Sequence, residues 1–283
     1  MLFLHRPGSR ILLPSLLLLA VAIAAGLLLH RVSNALAAES HTAVARRPVI
    51  VELFTSEGCS SCPPADALLA RLQREQPVAS AEVLALEEHV DYWDGLGWHD
   101  RFSSADITAR QSRYARRFQL DSNYTPQMVV DGAAQFVGID RGQAVRAITH
   151  AARTPKLALS IQALMIDGDR IAGQLAVPST VPVGADLYAA LVQPMASTQV
   201  MRGENGGHTL NHVSIVRALQ HVAAVRSGSV ADLSLVIPKD LAPTDARIVV
   251  FLQGKDQGPI LAAVSSPLPS KPGPAPAASA QTP

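Results

Sequence analysis

Cysteine is scarce in this chain, with only 2 among 283 residues. They stand three apart, in Glu57-Gly58-Cys59-Ser60-Ser61-Cys62-Pro63-Pro64. With no second pair, a four-cysteine zinc site is excluded, and what remains is a redox dithiol or a small structural disulfide. An excess of charge is also lacking. Lys and Arg number 24 against 23 Asp and Glu, a net charge of +1, so neither a nucleic-acid surface nor an acidic partner is implied. No internal repeat is visible, and nothing calls for a bound cofactor.

What is present starts at the N-terminus. Arg6 and Arg10 precede a nearly unbroken apolar run over residues 11–29, and Ala35-Leu36-Ala37-Ala38 supplies the small residues of a cleavage site. Residues 1–38 therefore read as an export signal or, given the length of the run, as an uncleaved anchor. The remainder is expected in the periplasm or outside the cell, touching the inner membrane only through such an anchor. In an oxidising compartment a neighbouring thiol pair rests as a disulfide. At the other end, residues 265–283 are mostly Pro, Ala and Ser. That composition buries too little apolar surface to offset its ordering entropy, and a disordered tail is expected.

Over residues 48–153 strand and helix patterns alternate. Residues 49–54 are rich in β-branched and aromatic side chains and lead into the C-x-x-C. Behind it, Ala65, Leu68, Leu69 and Leu72 recur at helical spacing. Pro63 and Pro64 fit in the first turn of that helix, where missing N–H groups cost little. Residues 83–86 read as a buried strand running toward His89 and Val90. Residues 106–118 read as a helix with Ile107, Tyr114 and Phe118 on one face and Arg110, Arg113 and Arg117 on the other, a face that is solvated or binds an anion. Residues 124–132 and 135–138 make a hairpin, and residues 141–152 a closing helix. The order is βαβ, a helical insert, then ββα, which is that of a thioredoxin-like α/β fold. Thr125-Pro126 falls where such a fold sets a cis proline against its dithiol, so a cis bond is expected despite its low base rate.

Beyond Thr154-Pro155 the texture changes. Residues 157–166, 170–177, 185–192, 231–237, 247–252 and 260–264 are short strand candidates, with Asp167-Gly168-Asp169 as a hairpin turn. Residues 156–264 are thus expected to form an additional antiparallel, β-sandwich-like half. Inside it, Arg202-Gly203-Glu204-Asn205-Gly206-Gly207-His208 is a polar, glycine-rich loop, either a plain connection or a border of the dithiol.

Four segments carry a resemblance: residues 52–66 around the dithiol, residues 87–100 with Tyr92, Trp93 and Trp98, residues 124–132, and Arg202-Gly203-Glu204-Asn205. Together they resemble the secreted, thioredoxin-like proteins catalogued as domain of unknown function 1223, over residues 48–268. The resemblance implies a thioredoxin-like fold joined to a β-sandwich. It implies no substrate, because that family has no settled activity.

For chemistry, Cys59 is the candidate nucleophile and Cys62 the resolving thiol, since exchange needs one exposed thiolate near a helix start and a second thiol able to attack the mixed disulfide. Pro63 and Pro64 place Cys59 about a turn ahead of the helix, where the dipole fades, and the hydroxyls of Ser60 and Ser61 stand ready to donate to a thiolate. Pro126 completes this site, and Glu52, on the preceding strand, is a proton carrier if its side chain points to the buried side, the alternatives being that it faces the opposite side or pairs with an arginine. His89, Asp91, His99, Asp100, His208 and His212 are metal-ligand types, but spacing fixes no complete set, and no metal ligand is assigned. Trp93 and Trp98 either line a pocket at the dithiol or simply pack. Three functions follow: thiol–disulfide exchange with a thiol or disulfide protein partner, a non-catalytic accessory protein with a structural disulfide, and a metal-handling accessory protein.

Overall fold

The computed structural model describes residues 46–269. The expected signal or anchor at 1–38, and the expected tail beyond residue 269, lie outside the described residues. Strand β1 (Arg47–Thr55) is buried from Val49 onward, and β2 (Ala81–His89) pairs with it in parallel. Residues 49–51 of β1 and 83–86 of β2 are continuous apolar runs because both faces of these strands are covered. Helix α1 (Pro63–Glu75) lays Leu68, Leu69 and Leu72 on one face, joined by Ala144 and Ile148 of α3 (Arg141–Ala151). Helix α2 (Ala105–Arg117) covers the opposite face through Ile107 and Tyr114. Ser104 caps α2 by accepting the Asp106 N–H, and Arg116 and Arg117 lie in its last turn, where the dipole favours cations.

The hairpin β3 (Gln127–Val130) and β4 (Ala134–Val137) extends the sheet antiparallel to β1. Its turn needs glycine at position 132, where φ is +63° and a Cβ would stand 2.4 Å from the Gly258 carbonyl oxygen.

The second half continues the same sheet. Strands β7 (Asp186–Gln199), β8 (Thr209–Ala224), β10 (Arg247–Gln253) and β11 (Ile260–Pro267) give an 8-stranded mixed sheet in the order β11-β10-β7-β8-β2-β1-β3-β4. The join is β8 against β2, parallel and in register at Glu87↔Ile215. Strands β5 (Ser160–Asp167), β6 (Arg170–Ala176) and β9 (Val230–Val236) form a second, 3-stranded antiparallel sheet. Its Ile171, Leu175, Leu233 and Leu235 pack against Leu187, Leu191, Ile248 and Val250 of the large sheet. Among the described residues no helix is long and apolar enough to cross a membrane.

Three local readings change. Residues 209–224, not expected as a strand, form the central β8, so the i, i+4 spacing of His208 and His212 is not helical. Strand β11 runs to Pro267, into the segment expected as tail. Arg110 is fully buried instead of sharing a solvated face with Arg113 and Arg117. It stands four residues before Tyr114, hence on the same helical face, and a buried carboxylate waits for it there.

Candidate functional site

Strands β1 and β2 run parallel, so their C-terminal ends deliver Thr55 and His89 to the same edge of the sheet. The chain leaving β1 carries the cysteines. Cys59 and Cys62 form a disulfide, with Cα atoms 5.5 Å apart. Cys62 is the N-cap of α1, its carbonyl accepting from the N–H groups of Ala65 and Asp66. Cys59 lies in the turn ahead, bonded from its own N–H to the Ser56 carbonyl. The regular helix therefore begins only at Pro63. The Ser61 hydroxyl stands 3.4 Å from the Cys59 sulfur.

The disulfide is covered. Both cysteines are 0% exposed, so neither thiol position is accessible ahead of the other in this state. The cover is the glycine-rich loop 202–208 from the second half. Asn205 Nδ2 donates to the carbonyls of Glu57 (2.9 Å) and Cys59 (3.0 Å). The Ser60 N–H donates to Glu204 Oε2 at 3.1 Å, and hydrogen bonding from Ser60 holds the Glu204 pKa down. The two tryptophans complete the surround. Trp98 Nε1 donates to Glu57 Oε2 at 2.8 Å and Trp93 Nε1 to Thr125 Oγ1 at 2.9 Å. A Cβ on Gly58 would meet Trp93 Cβ at 3.1 Å, and one on Gly203 would meet Trp98 Cβ at the same distance. Glycine at both places lets backbone and indole close together.

Pro126 follows a cis Thr125–Pro126 bond. Because Gln127 pairs with Phe54, Pro126 lies at the end of β1 from which the cysteine loop departs. Glu52 lies on the opposite face, under α2. Its Oε1 accepts from Arg110 Nε and its Oε2 from the Tyr114 hydroxyl, both at 2.6 Å. Both oxygens are committed, so Glu52 takes the arginine-paired reading. Glu88 is buried beside it, 3.7 Å from Arg110 Nε. Burial, with Glu52 nearby, pushes the Glu88 carboxyl well above the ordinary carboxylate range.

Beneath the cysteine loop lies a buried cluster of acids and histidines that the spacing of residues does not announce. His89 Nδ1 meets Asp100 Oδ2 at 2.6 Å, while its Nε2 faces Glu87 Oε1 at 3.3 Å. His212, from β8, puts Nδ1 2.7 Å from the same Glu87 oxygen and Nε2 3.3 Å from Glu57 Oε1. Burial opposes charge on His89, but Asp100 and Glu87 outweigh it and raise its pKa well above the ordinary value. Burial likewise works against His212, yet Glu57 and Glu87 carry it up to about 9. Asp100 is held at about 2, because His89 and two backbone N–H groups overcome its desolvation. Asp91 and His99, also ligand types, stay outside this cluster: Asp91 accepts from Thr108 and exposed His99 pairs with Asp94.

Asp66, one turn past Cys62, belongs to the same region. Its Oδ1 accepts from the Thr55 hydroxyl at 2.7 Å, and burial, aided by the negative charge of Glu87, raises its pKa to about 7. It borders a groove of about 690 Å³ between α1 and β8, lined also by Ala67, Arg71 and Leu210. A polar residue on the core-facing side of a helix, as Asp66 is beside Leu69, was the one available sequence signal for it.

Comparison with known proteins agrees with this architecture. Residues 50–253 match the family described as "Protein of unknown function (DUF1223)". The crystal structure of protein AGR_C_4864 from Agrobacterium tumefaciens is similar, with a TM-score of 0.59 and 27% sequence identity, over 78% of this chain and 94% of that one. No curated protein matches the chain. With the family match spanning both halves of the fold and the loop that covers the dithiol, the chain belongs to the DUF1223 family.

Proposed function

We propose that this is an exported, thioredoxin-like protein that exchanges disulfides with a protein partner through Cys59 and Cys62. One observation carries the reading: the two cysteines close a disulfide across the start of α1, just beyond the end of β1. A helix start is where a departing thiolate is best stabilised.

The exchange balances as follows. A partner thiolate attacks Cys59 Sγ, a partner–Cys59 bond forms, and the Cys59–Cys62 bond breaks with its electron pair on Cys62. Cys62 takes a proton, for which Asp66 is placed one turn away with a pKa near neutrality. The partner's second thiol returns its proton to Asp66 and attacks the mixed disulfide, releasing Cys59, which is protonated from solvent. Two partner S–H groups become one S–S bond, and this chain's disulfide becomes two thiols. The reverse reaction uses the same path, and the relative potentials set the direction.

Because both sulfurs are covered, loop 202–208 opens first. The two Asn205 hydrogen bonds contribute about 1–3 kcal/mol together, within the range of local opening. In Cys62→Ser, incubation with oxidised glutathione is expected to yield a glutathione adduct on Cys59; a Cys59 that stays unmodified in the folded variant sinks the assignment. Full burial of the pair favours a second reading, an accessory protein whose disulfide is structural, and the reduction potential separates the two.

A further inference from the structure

Three buried atoms of the acid–histidine cluster lack a hydrogen-bond partner: His89 Nε2, His212 Nε2 and Glu57 Oε1. Buried polar atoms are nearly always partnered, so three adjacent exceptions call for a cause. Glu87, His89 and His212 each offer one ligand atom, and these atoms all lie within 4.8 Å of one another. Two lie on β2 as i and i+2, hence on one face of the strand. The third comes from β8, which pairs with β2 next to Glu87.

We propose that Glu87 Oε1, His89 Nε2 and His212 Nδ1 bind one divalent metal ion of the zinc type, with Asp100 and Glu57 orienting the two imidazoles. Each histidine has one nitrogen toward Glu87 and the other toward an outer carboxylate. His89 turns Nδ1 to Asp100 at 2.6 Å and His212 turns Nε2 to Glu57 at 3.3 Å. This is the carboxylate–histidine–metal arrangement that fixes a ligand's tautomer and ring angle. An ion held by these three gives His89 Nε2 a partner, and ligation of His212 through Nδ1 keeps its ring proton on Nε2, the nitrogen that faces Glu57 Oε1 at 3.3 Å.

The two edges at Glu87 Oε1 are near what such an ion needs, and the two imidazole nitrogens lie within 4.8 Å of each other. Bonds of about 2.0–2.1 Å put tetrahedral ligands about 3.3–3.4 Å apart. Glu87 Oε1 is already 3.3 Å from His89 Nε2, and its 2.7 Å contact with His212 Nδ1 has to widen by about 0.6 Å toward that tetrahedral edge. The remaining Glu87 oxygen is pinned by the Val213 N–H at 2.7 Å. The Phe102 ring lies 5.3 Å from His89 and 5.7 Å from His212, giving the site an apolar wall. Two imidazoles and a carboxylate suit zinc or copper(II) and disfavour calcium and magnesium, which take oxygen shells. Three protein ligands leave a fourth position. The ion would tie β2 to β8, joining the two halves behind the disulfide.

The test uses the full chain, purified without metal-affinity steps and stripped by dialysis against a chelator. Zinc added to it is expected to bind at one equivalent per chain and to survive gel filtration. Cobalt(II) is expected to give visible d–d bands without a thiolate charge-transfer band. Cys59→Ser/Cys62→Ser should retain both results, so a failure of thiol exchange leaves this proposal standing and the reverse also holds. His212→Gln and Glu87→Gln should lose binding at least tenfold. A folded wild-type chain that binds no zinc and shows no rise in melting temperature at tenfold excess zinc overturns the proposal, protons then serving where the ion was placed. Undiminished binding in the ligand variants, or a thiolate band with cobalt, overturns it too. Should the variants not fold, wild-type stoichiometry and the cobalt spectrum still decide.

Discussion

Two buried clusters of charge sit back to back across β1 and β2, and they are closed by different cations. On the α2 face, Glu52 and Glu88 share Arg110, a guanidinium that stays charged at every accessible pH and is further held by Tyr114 and Gln253. On the α1 face, the cations that Glu57, Glu87 and Asp100 meet among the described residues are His89 and His212. The sequence step that separates them is a single residue, since Glu87 and Glu88 alternate across the pleat of β2. The arginine of the first cluster keeps its charge and ties α2 to β1. A cluster closed by imidazoles can gain or lose a proton or exchange it for a metal ion, and that is the one lying under the cysteines.

Breaking the arginine lock is expected to have the largest effect. Arg110→Met removes the buried guanidinium paired with Glu52, so unfolding free energy should fall by about 3–5 kcal/mol. Urea denaturation measures it, and a loss below about 1 kcal/mol would mean that Glu52 takes up a proton at little cost and that the two faces differ little.

Asp66 sharpens the comparison through pH. Its folded pKa of about 7 lies above the ordinary carboxylate value of 3.8, so the folded state binds the extra proton. Stability from this group is present below pH 4 and is lost as pH rises to 7. Asp66→Asn should therefore gain stability relative to the wild type across that window, by up to a few kcal/mol. Parallel melting curves at pH 4.5 and 8 test this, and a difference that does not change with pH contradicts it.

Smaller still is the effect of the cover. Asn205→Ala removes two hydrogen bonds to the cysteine loop and should cost about 1–3 kcal/mol. It should also speed reduction of the disulfide by dithiothreitol several-fold. Reduction at the wild-type rate would show that loop 202–208 does not gate access to the sulfurs.

Much of the first half was legible from residue pattern. Leu68, Leu69 and Leu72 declared α1, Pro63 marked its start, and the cis bond at Pro126 followed from the order of elements. The glycines of 202–208 pointed to close backbone approach, and the loop does reach the cysteine turn. What escaped was β8. Its buried side begins Leu210, His212, Ser214, a period of two in which only one member is apolar, so hydropathy does not reveal it. With β8 unseen, His212 had no route to Glu87, a residue 125 positions away. Arg110 escaped for a related reason. Its charge suggests solvent, and only the buried Glu52 opposite it makes an interior position tolerable.

The claim that Cys59 and Cys62 exchange electrons with a partner is tested most directly by their equilibrium reduction potential. The protein is equilibrated in glutathione buffers of graded ratio, quenched with acid, and its thiols counted by alkylation and mass. A potential above about −300 mV, within reach of the glutathione pool, is the result expected of an exchanging pair. A pair that stays oxidised throughout, with a potential well below that value, would make the disulfide a structural fastening and contradict the account.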